Sequence, residues 1–276
     1  MNEHTQQLDT NWWYMHRPVI WNMVLQCYDR EISISGIRQR DNQSFHQKCL
    51  TTSSIDNMLK LIIPKKEQIT DVYTSLSVYD LTPILGHNLS TKKQFFAVTE
   101  PQYWRVSFDI DCRDNILQAG IDAGTLILKL AGIRPHWNTT IKFSGGKGFH
   151  VETDYMPVYN EGIIENRDLA EKLIEMLGLD TIDMRIYSPR REWRCPYSVH
   201  HSGKVAMPLS IDEFNMVLEN MPDSLEWFYP RLAMQKFRVT NMGMKYWNLN
   251  NTSLNRAKRF ILNKQVEKLH KILYSY

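Results

Sequence analysis

Three groups of residues have the types and spacing to do metal or phosphoryl chemistry. Asp109 and Asp111 close the run Trp104-Arg105-Val106-Ser107-Phe108-Asp109-Ile110-Asp111. If that run is a strand, the period of two puts both carboxylates on one face and sends Phe108 and Ile110 into the core. Two acids that close repel unless one is protonated or a divalent cation sits between them, and magnesium or manganese suits such oxygen ligands. The second group is Ser144-Gly145-Gly146-Lys147-Gly148, followed by His150. Its glycines remove Cβ atoms so that backbone N–H groups can approach a phosphate, while Ser144 and Lys147 add a hydroxyl and a cation. It is not a Walker A loop, because the spacing Gly-x-x-x-x-Gly-Lys-Ser/Thr is absent. In the third group, Asp183 lies in the alternating run from Thr181 to Tyr187 and could complete a metal site. The loop after it, Ser188 to Lys204, gathers Arg190, Arg191, Arg194, Lys204, His200 and His201 among Pro, Ser and Gly, a composition that meets phosphate. Trp193 and Tyr197 interrupt what would otherwise read as a solvated basic turn.

Elements must position these groups. A helix opened by Pro18 carries the aromatic start of the chain, with Trp12, Trp13, Tyr14, Trp21 and Tyr28, and Arg30 to Gly36 alternates like a strand. Residues 38 to 56 read as a loop, and Lys60 to Lys66 as a basic cluster. Asp71 to Tyr79 is β-branched and aromatic, hence a strand, and Lys92-Lys93 precedes the apolar Phe95-Phe96-Ala97-Val98. Asp114 is placed to cap a helix with Leu117, Ile121, Leu128 and Leu130, stopped at Gly132. Thr139 to Phe143 is a strand, the glycine turn reverses it, and Phe149 to Glu152 begins the next. A helix over Asn166 to Leu177 ends at Gly178. Val205 to Leu209 is a short strand, and capping boxes start at Ser210 and Asp223, with Glu213 and Glu226 as their third residues. The remainder, with Phe260, Leu269, Ile272 and Leu273, is helical in tendency and basic.

Composition sets bounds on this reading. With 276 residues, 43% of them hydrophobic, the chain can bury a sizeable core. A net charge of +3, from 33 basic and 30 acidic residues, means that any nucleic-acid surface comes from local clustering. Cys27, Cys49, Cys112 and Cys195 form no Cys-x-x-Cys pair, so no zinc site is expected and a reducing, intracellular and cytoplasmic setting is. No apolar run approaches the roughly 20 residues of a membrane span, and no membrane partner is expected.

Taken in order, Phe108-Asp109-Ile110-Asp111, Ser144-Gly-Gly-Lys147-Gly-Phe-His150, and Asp183 followed by Arg194-Cys-Pro-Tyr-Ser-Val-His200-His-Ser-Gly-Lys204 resemble the archaeo-eukaryotic primase superfamily. The glycine turn is similar to that in the polymerase domain of bacterial end-joining ligases, and the stretch from Asp183 to Arg194 to eukaryotic primase-polymerase. The resemblance spans about residues 70 to 210 and implies an α+β fold: a palm sheet like that of RNA-recognition modules, beside an N-terminal α/β layer. On this reading the whole chain is one catalytic domain, with the layer at about 1–100, the palm at about 101–210 and a helical C-terminal segment at about 211–276. The implied activity is template-directed nucleotidyl transfer by a primase-polymerase, with two Mg2+ or Mn2+ ions. Asp109 and Asp111 would bridge the metals, and Asp183 would be the third ligand. Ser144, Gly145, Lys147 and His150 would meet the phosphates of a nucleoside triphosphate, joined by Arg194, His200 and Lys204. Single-stranded or primer-template DNA is the implied polymer, and a helicase or another replication or repair domain a possible partner.

Two other readings compete. A polymerase-β-like nucleotidyltransferase has its Gly-Ser turn before the acidic pair, whereas here the glycine turn follows it. A catalytically silent replication factor could keep the fold for nucleic-acid binding, but the three acids are all present.

Overall fold

The structure, a computed structural model, describes residues 10, 12–27, 29–38, 41, 43–50, 55–62, 67–81, 83, 94 and 99–239. Tyr28, Lys65 and Lys66 of the first basic cluster, Lys92-Lys93, the run Phe95 to Val98 and the basic tail from residue 240 lie outside these residues.

Pro18 stands in the first turn of α1 (Arg17–Cys27), where its missing N–H would be unpaired in any case. This helix buries Val19, Ile20, Met23, Val24 and Cys27. Next come β1 (Ile32–Arg38), β2 (Ser44–Leu50), α2 (Ile55–Ile62) and β3 (Glu67–Ser75), with β1 paired antiparallel to both β2 and β3. β2 corrects the expected loop at 38–56. It is an edge strand paired to β1, with Ser44, His46 and Gln47 exposed and Phe45 and Leu50 half-buried against the core.

The expected strand Asp71 to Tyr79 is two strands in different sheets, β3 and β4 (Ser77–Tyr79), broken at Leu76. There the chain turns to exchange hydrogen bonds with Arg191 and Arg105, and Ser75 Oγ closes the corner on the Ser77 carbonyl at 2.6 Å. The run ending in the acidic pair is likewise divided, into β5 (Pro101–Trp104), which pairs with β4, and β6 (Ser107–Asp111).

In α3 (Ile116–Ile133) the cap is Asn115, whose side chain accepts from Gln118 N–H at 3.1 Å, in place of the expected Asp114. The helix continues past Gly132, since a glycine is only a weak helix former and nothing crowds this one. By length and composition α3 could cross a membrane; here half of it is buried, against β6 and β8. β7 (Thr139–Phe143) and β8 (Gly148–Thr153) follow as expected. α4 (Tyr159–Leu177) starts earlier than its periodicity indicates because its first turn docks on β5, where Gly162 lies close against Trp104 and Pro157. It stops at Gly178 in the left-handed conformation (φ 62°), as expected.

A 3-10 turn, Met184–Ile186, leads to β9 (Glu192–Arg194) and β10 (Pro208–Leu209). The expected strand from Val205 is therefore only its last two residues plus an isolated pairing of Val205 with Val199. α5 (Ile211–Glu219) carries the expected capping box of Ser210 and Glu213. The second box does not form: Asp223–Phe228 is a 3-10 helix with Pro222 at its cap and no side-chain cap bond, and α6 (Pro230–Lys236) follows it.

Two four-stranded antiparallel sheets result, in the orders β2-β1-β3-β9 and β10-β7-β8-β6, with α3 packed on the second. This is an α+β arrangement. In the second, palm-like sheet, alternation sends Phe108, Ile110, Ile141, Phe143, Phe149 and Val151 to one face, where Phe149 meets Phe214 of α5. The other face carries Asp109, Asp111, Lys142, His150 and Glu152 and meets Trp193 of β9.

Candidate active site

The acidic face is built by strand register. On β6 and β8, Asp109 lies opposite His150 and Asp111 opposite Gly148. A Cβ at Gly148 would overlap the Ile110 carbonyl oxygen and Asp111 Oδ1, so only glycine lets β8 approach the second acid. Asp183 reaches the same place across the free edge of β6. Ile110 and Ile182 form an isolated bridge, Asp111 N–H donates to the Thr181 carbonyl at 2.9 Å, and Asp183 N–H donates to the Asp109 carbonyl at 2.8 Å. The strand expected over 181–187 goes no further. The Asp183 carboxylate accepts the Arg185 backbone N–H at 2.9 Å and turns the chain into the 3-10 turn, the local competition with extended structure that Asp favours.

As a result Asp109, Asp111 and Asp183 each offer an oxygen within 4.8 Å of those of the others. Burial, then the fields of Asp111 and Asp183, push the Asp109 carboxyl up to about 7. Asp109 Oδ1 is also buried with no hydrogen-bond partner. A buried carboxylate oxygen without a donor, facing two more carboxylates, is the chemistry a divalent cation satisfies, so the donor set fits Mg2+ or Mn2+. Cations of the chain hold the other two acids. Lys147 Nζ is 2.9 Å from Asp111 Oδ2, and Arg185 hydrogen-bonds Asp183, holding that carboxyl below its ordinary value.

Behind the triad lies a buried ionic network. Glu152 Oε1 accepts from Lys142 Nζ and Trp193 Nε1, both at 2.7 Å, and Oε2 from Arg105 Nη1 at 2.5 Å. Burial alone would raise the Glu152 carboxyl; Lys142 and Arg105 together overcome that and hold it well below the carboxylate range. For Lys142, with no exposed side-chain surface, burial outweighs the carboxylate and its value falls. His150 sits beside this network, 4.0 Å from the Trp193 ring centroid and with Nε2 3.5 Å from Asp109 Oδ1. Burial and then Lys142 lower its value well below the ordinary one, so it is a neutral imidazole.

The glycine turn meets the basic loop. Ser144 Oγ accepts Gly146 N–H at 3.3 Å, and Ser202 Oγ donates to the Gly145 carbonyl at 2.9 Å. Gly145 has φ 85° and lies against His200 Cβ, which leaves no room for a side chain. His200 Nδ1 lies 2.8 Å from Ser202 Oγ and 3.0 Å from the Ser202 backbone nitrogen, and its Nε2 lies near Gly146. Burial, then Arg194, lower His200 to about 3, so its ring is neutral. Arg194 pairs with Asp71 and lies 5.0 Å over the Tyr73 ring. Lys204 places its ammonium 4.9 Å from the Tyr229 ring centroid, with its backbone against Gly145. Asp71, His200 and His201 also bring ligand-type atoms within 4.8 Å, but the Arg194 guanidinium already occupies Asp71 and opposes a cation there.

No protein-family model matches the chain, and no curated protein matches it. It is similar to a polymerase domain of known structure. That structure is the polymerase domain from Mycobacterium tuberculosis Ligase D in complex with DNA, at 15% identity and a TM-score of 0.49, over 79% of this chain and 87% of that one.

The structure thus brings together the three acids, Lys147 and His150, and sets Ser144, Gly145 and His200 side by side, with Arg194 and Lys204 bracing the loop. Reading the sequence missed Arg185, Lys142 and Glu152, and gave Arg191 only as one cation of the basic loop. Arg191 lowers Asp109 and Asp183 through its field. Lys142 and Glu152 did carry a signal, since the alternation that exposes His150 on β8 puts Glu152, and Lys142 opposite His150, on the same face. Arg185 carried none beyond its adjacency to Asp183.

Proposed function

We propose that the chain is a member of the archaeo-eukaryotic primase superfamily and a template-directed nucleotidyltransferase, extending RNA or DNA from nucleoside triphosphates. The observation that carries this reading is the triad itself: Asp109, Asp111 and Asp183 within 4.8 Å, with Asp109 Oδ1 buried and lacking a donor. In the reaction a 3′-hydroxyl oxygen attacks the α-phosphorus, the bond to the β-phosphate oxygen breaks, and pyrophosphate leaves. Bound Mg2+ or Mn2+ would lower the pKa of that hydroxyl and neutralise charge on the phosphates. Asp109 and Asp111 would hold both ions, with Asp183 a ligand to the one serving the hydroxyl. The rigid pairing of β6 with β8 and Ile182 fixes the positions of all three acids before substrate arrives.

The glycine turn supports the phosphate side of the reading. The Ser144 hydroxyl, the backbone around Gly145 and the neutral His200 are packed together at the turn, and Lys147 would turn from Asp111 to meet the developing charge on the phosphates. His150, neutral and with Nε2 3.5 Å from Asp109 Oδ1, would meet the phosphates beside the acids. Arg194 shapes the loop from its pairing with Asp71 and lends positive field to both histidines. Single-stranded or primer-template DNA would be the polymer, meeting the acidic face beside the triad.

Extension of a labelled primer on a DNA template with manganese tests this directly. Wild-type protein should incorporate nucleotide, and Asp109→Ala or Asp183→Ala should reduce incorporation by about 100-fold or more, beyond what loss of a mere supporting group costs. Equal incorporation by wild type and both variants would remove the triad from catalysis. Template binding without any incorporation would make the chain a silent binding factor.

A further inference from the structure

Not every cation near the triad has a role in the reaction above. Arg185 grips Asp183 through Nε to Oδ1 at 2.8 Å, Nε to Oδ2 at 3.0 Å and Nη2 to Oδ2 at 2.6 Å, while its backbone N–H holds Oδ1 at 2.9 Å. Both carboxylate oxygens are therefore taken. The Arg185 side chain is nonetheless 80% exposed, whereas that of Asp183 is only 12% exposed. This separates it from the pairs around Glu152, whereas Lys147, 44% exposed, holds Asp111 without engaging both carboxylate oxygens. Lys142 and Arg105 are packed around Glu152 and cannot leave without stranding a buried charge. Arg185 can swing into water, where its guanidinium is well solvated, and leave Asp183 still held by the backbone N–H.

We propose that Arg185 is a displaceable occupant of the third-ligand position, competing with the divalent cation for Asp183 and so setting the metal affinity of the centre. The inference rests on the metal-centre reading given above. Its logic is one of exclusion: an oxygen engaged by the guanidinium has fewer lone pairs for a metal, and two cations at one carboxylate repel. Asp109 and Asp111 act on Arg185 as well, so the guanidinium offsets the repulsion of all three acids while no metal is bound. Metal loading must overcome that attraction. By reciprocity, whatever the metal loses to Arg185, the pair of Arg185 with Asp183 loses to the metal. An exposed pair is weak, so the effect is modest: removing the guanidinium should tighten metal binding about two- to fivefold.

The test is a titration of the metal-stripped full chain with Mn2+ alone, free Mn2+ being read by electron paramagnetic resonance, without nucleotide or template. Arg185→Ala should bind Mn2+ about two- to fivefold more tightly than wild type, and Arg185→Lys, a point charge without the fork, should fall between them. Melting curves would establish that each variant folds. An affinity for Arg185→Ala equal to or weaker than wild type overturns the proposal. Asp109→Asn separates its failure from that of the metal-centre reading. If Asp109→Asn loses Mn2+ while Arg185→Ala matches wild type, the centre stands and the competition does not. If Asp109→Asn binds as wild type does, both fall.

Discussion

Asp109 is held in a state that water would not tolerate. Its carboxyl has an ordinary value near 3.9, and burial with Asp111 and Asp183 moves it up to about 7 in the fold. The folded protein therefore holds a proton that the unfolded chain releases, and stability falls as pH rises from about 4 to about 7. Without metal, Asp109→Asn should be more stable than wild type by about 2–4 kcal/mol at pH 8, and the difference should vanish near pH 4. Urea melts in a chelating buffer at the two pH values measure this; a variant less stable than wild type at pH 8 would contradict the electrostatic account. The strain was half legible in the sequence. Alternation alone places Asp109 beside Asp111, whereas the arrival of Asp183 depends on a single bridge from Ile110 to Ile182, which no local pattern announces.

The approach of β8 to β6 sets the acids' positions, and Gly148 permits it. Gly148→Ala would drive a methyl into the Ile110 carbonyl and Asp111 Oδ1, costing about 1–3 kcal/mol in stability and pushing Asp111 away from Asp109. Mn2+ affinity should then fall more than melting alone explains, and an unchanged affinity would show that the strands can part without moving the acid. Local chemistry made several elements readable in advance: the Ser210 capping box, the Gly178 stop and the β7–turn–β8 hairpin are each decided within a few residues. The breaks at Leu76 and at Arg105-Val106 were not readable. They exist because the chain changes sheets there, bonding Arg191 and Arg105 instead of continuing a ladder, and a run of β-branched residues looks the same either way. β2 escaped because its core-facing Phe45 and Leu50 stand an odd number of residues apart, across a register shift, so no alternation shows.

Glu152 ties the two sheets together. Its carboxylate, on β8, receives Lys142 from β7, Trp193 from β9 of the other sheet, and Arg105, which also reaches Gln26 of α1. Glu152→Gln would leave the buried Lys142 and the half-buried Arg105 uncompensated and should cost about 3–5 kcal/mol, with both sheets melting together. Because the folded carboxyl is held well below its ordinary value, this stabilisation is present above about pH 4.3 and is lost as pH falls further. Wild type should therefore lose stability steeply below about pH 4, and Glu152→Gln much less so, in thermal melts across that range. Partners so far apart along the chain leave no trace in local periodicity, which is why the α+β class was readable from the sequence and its central ionic tie was not.

The short bridge that delivers Asp183 does something else as well. β6 is the last strand of its sheet, and an uncovered edge with open N–H and C=O groups is a template on which another chain can add itself. Residues 181–183 occupy that edge, taking the Asp111 N–H and the Asp109 carbonyl for themselves. The segment that completes the acidic triad is thus also a guard against self-association, and loosening it would open the edge to strand pairing beside the three acids.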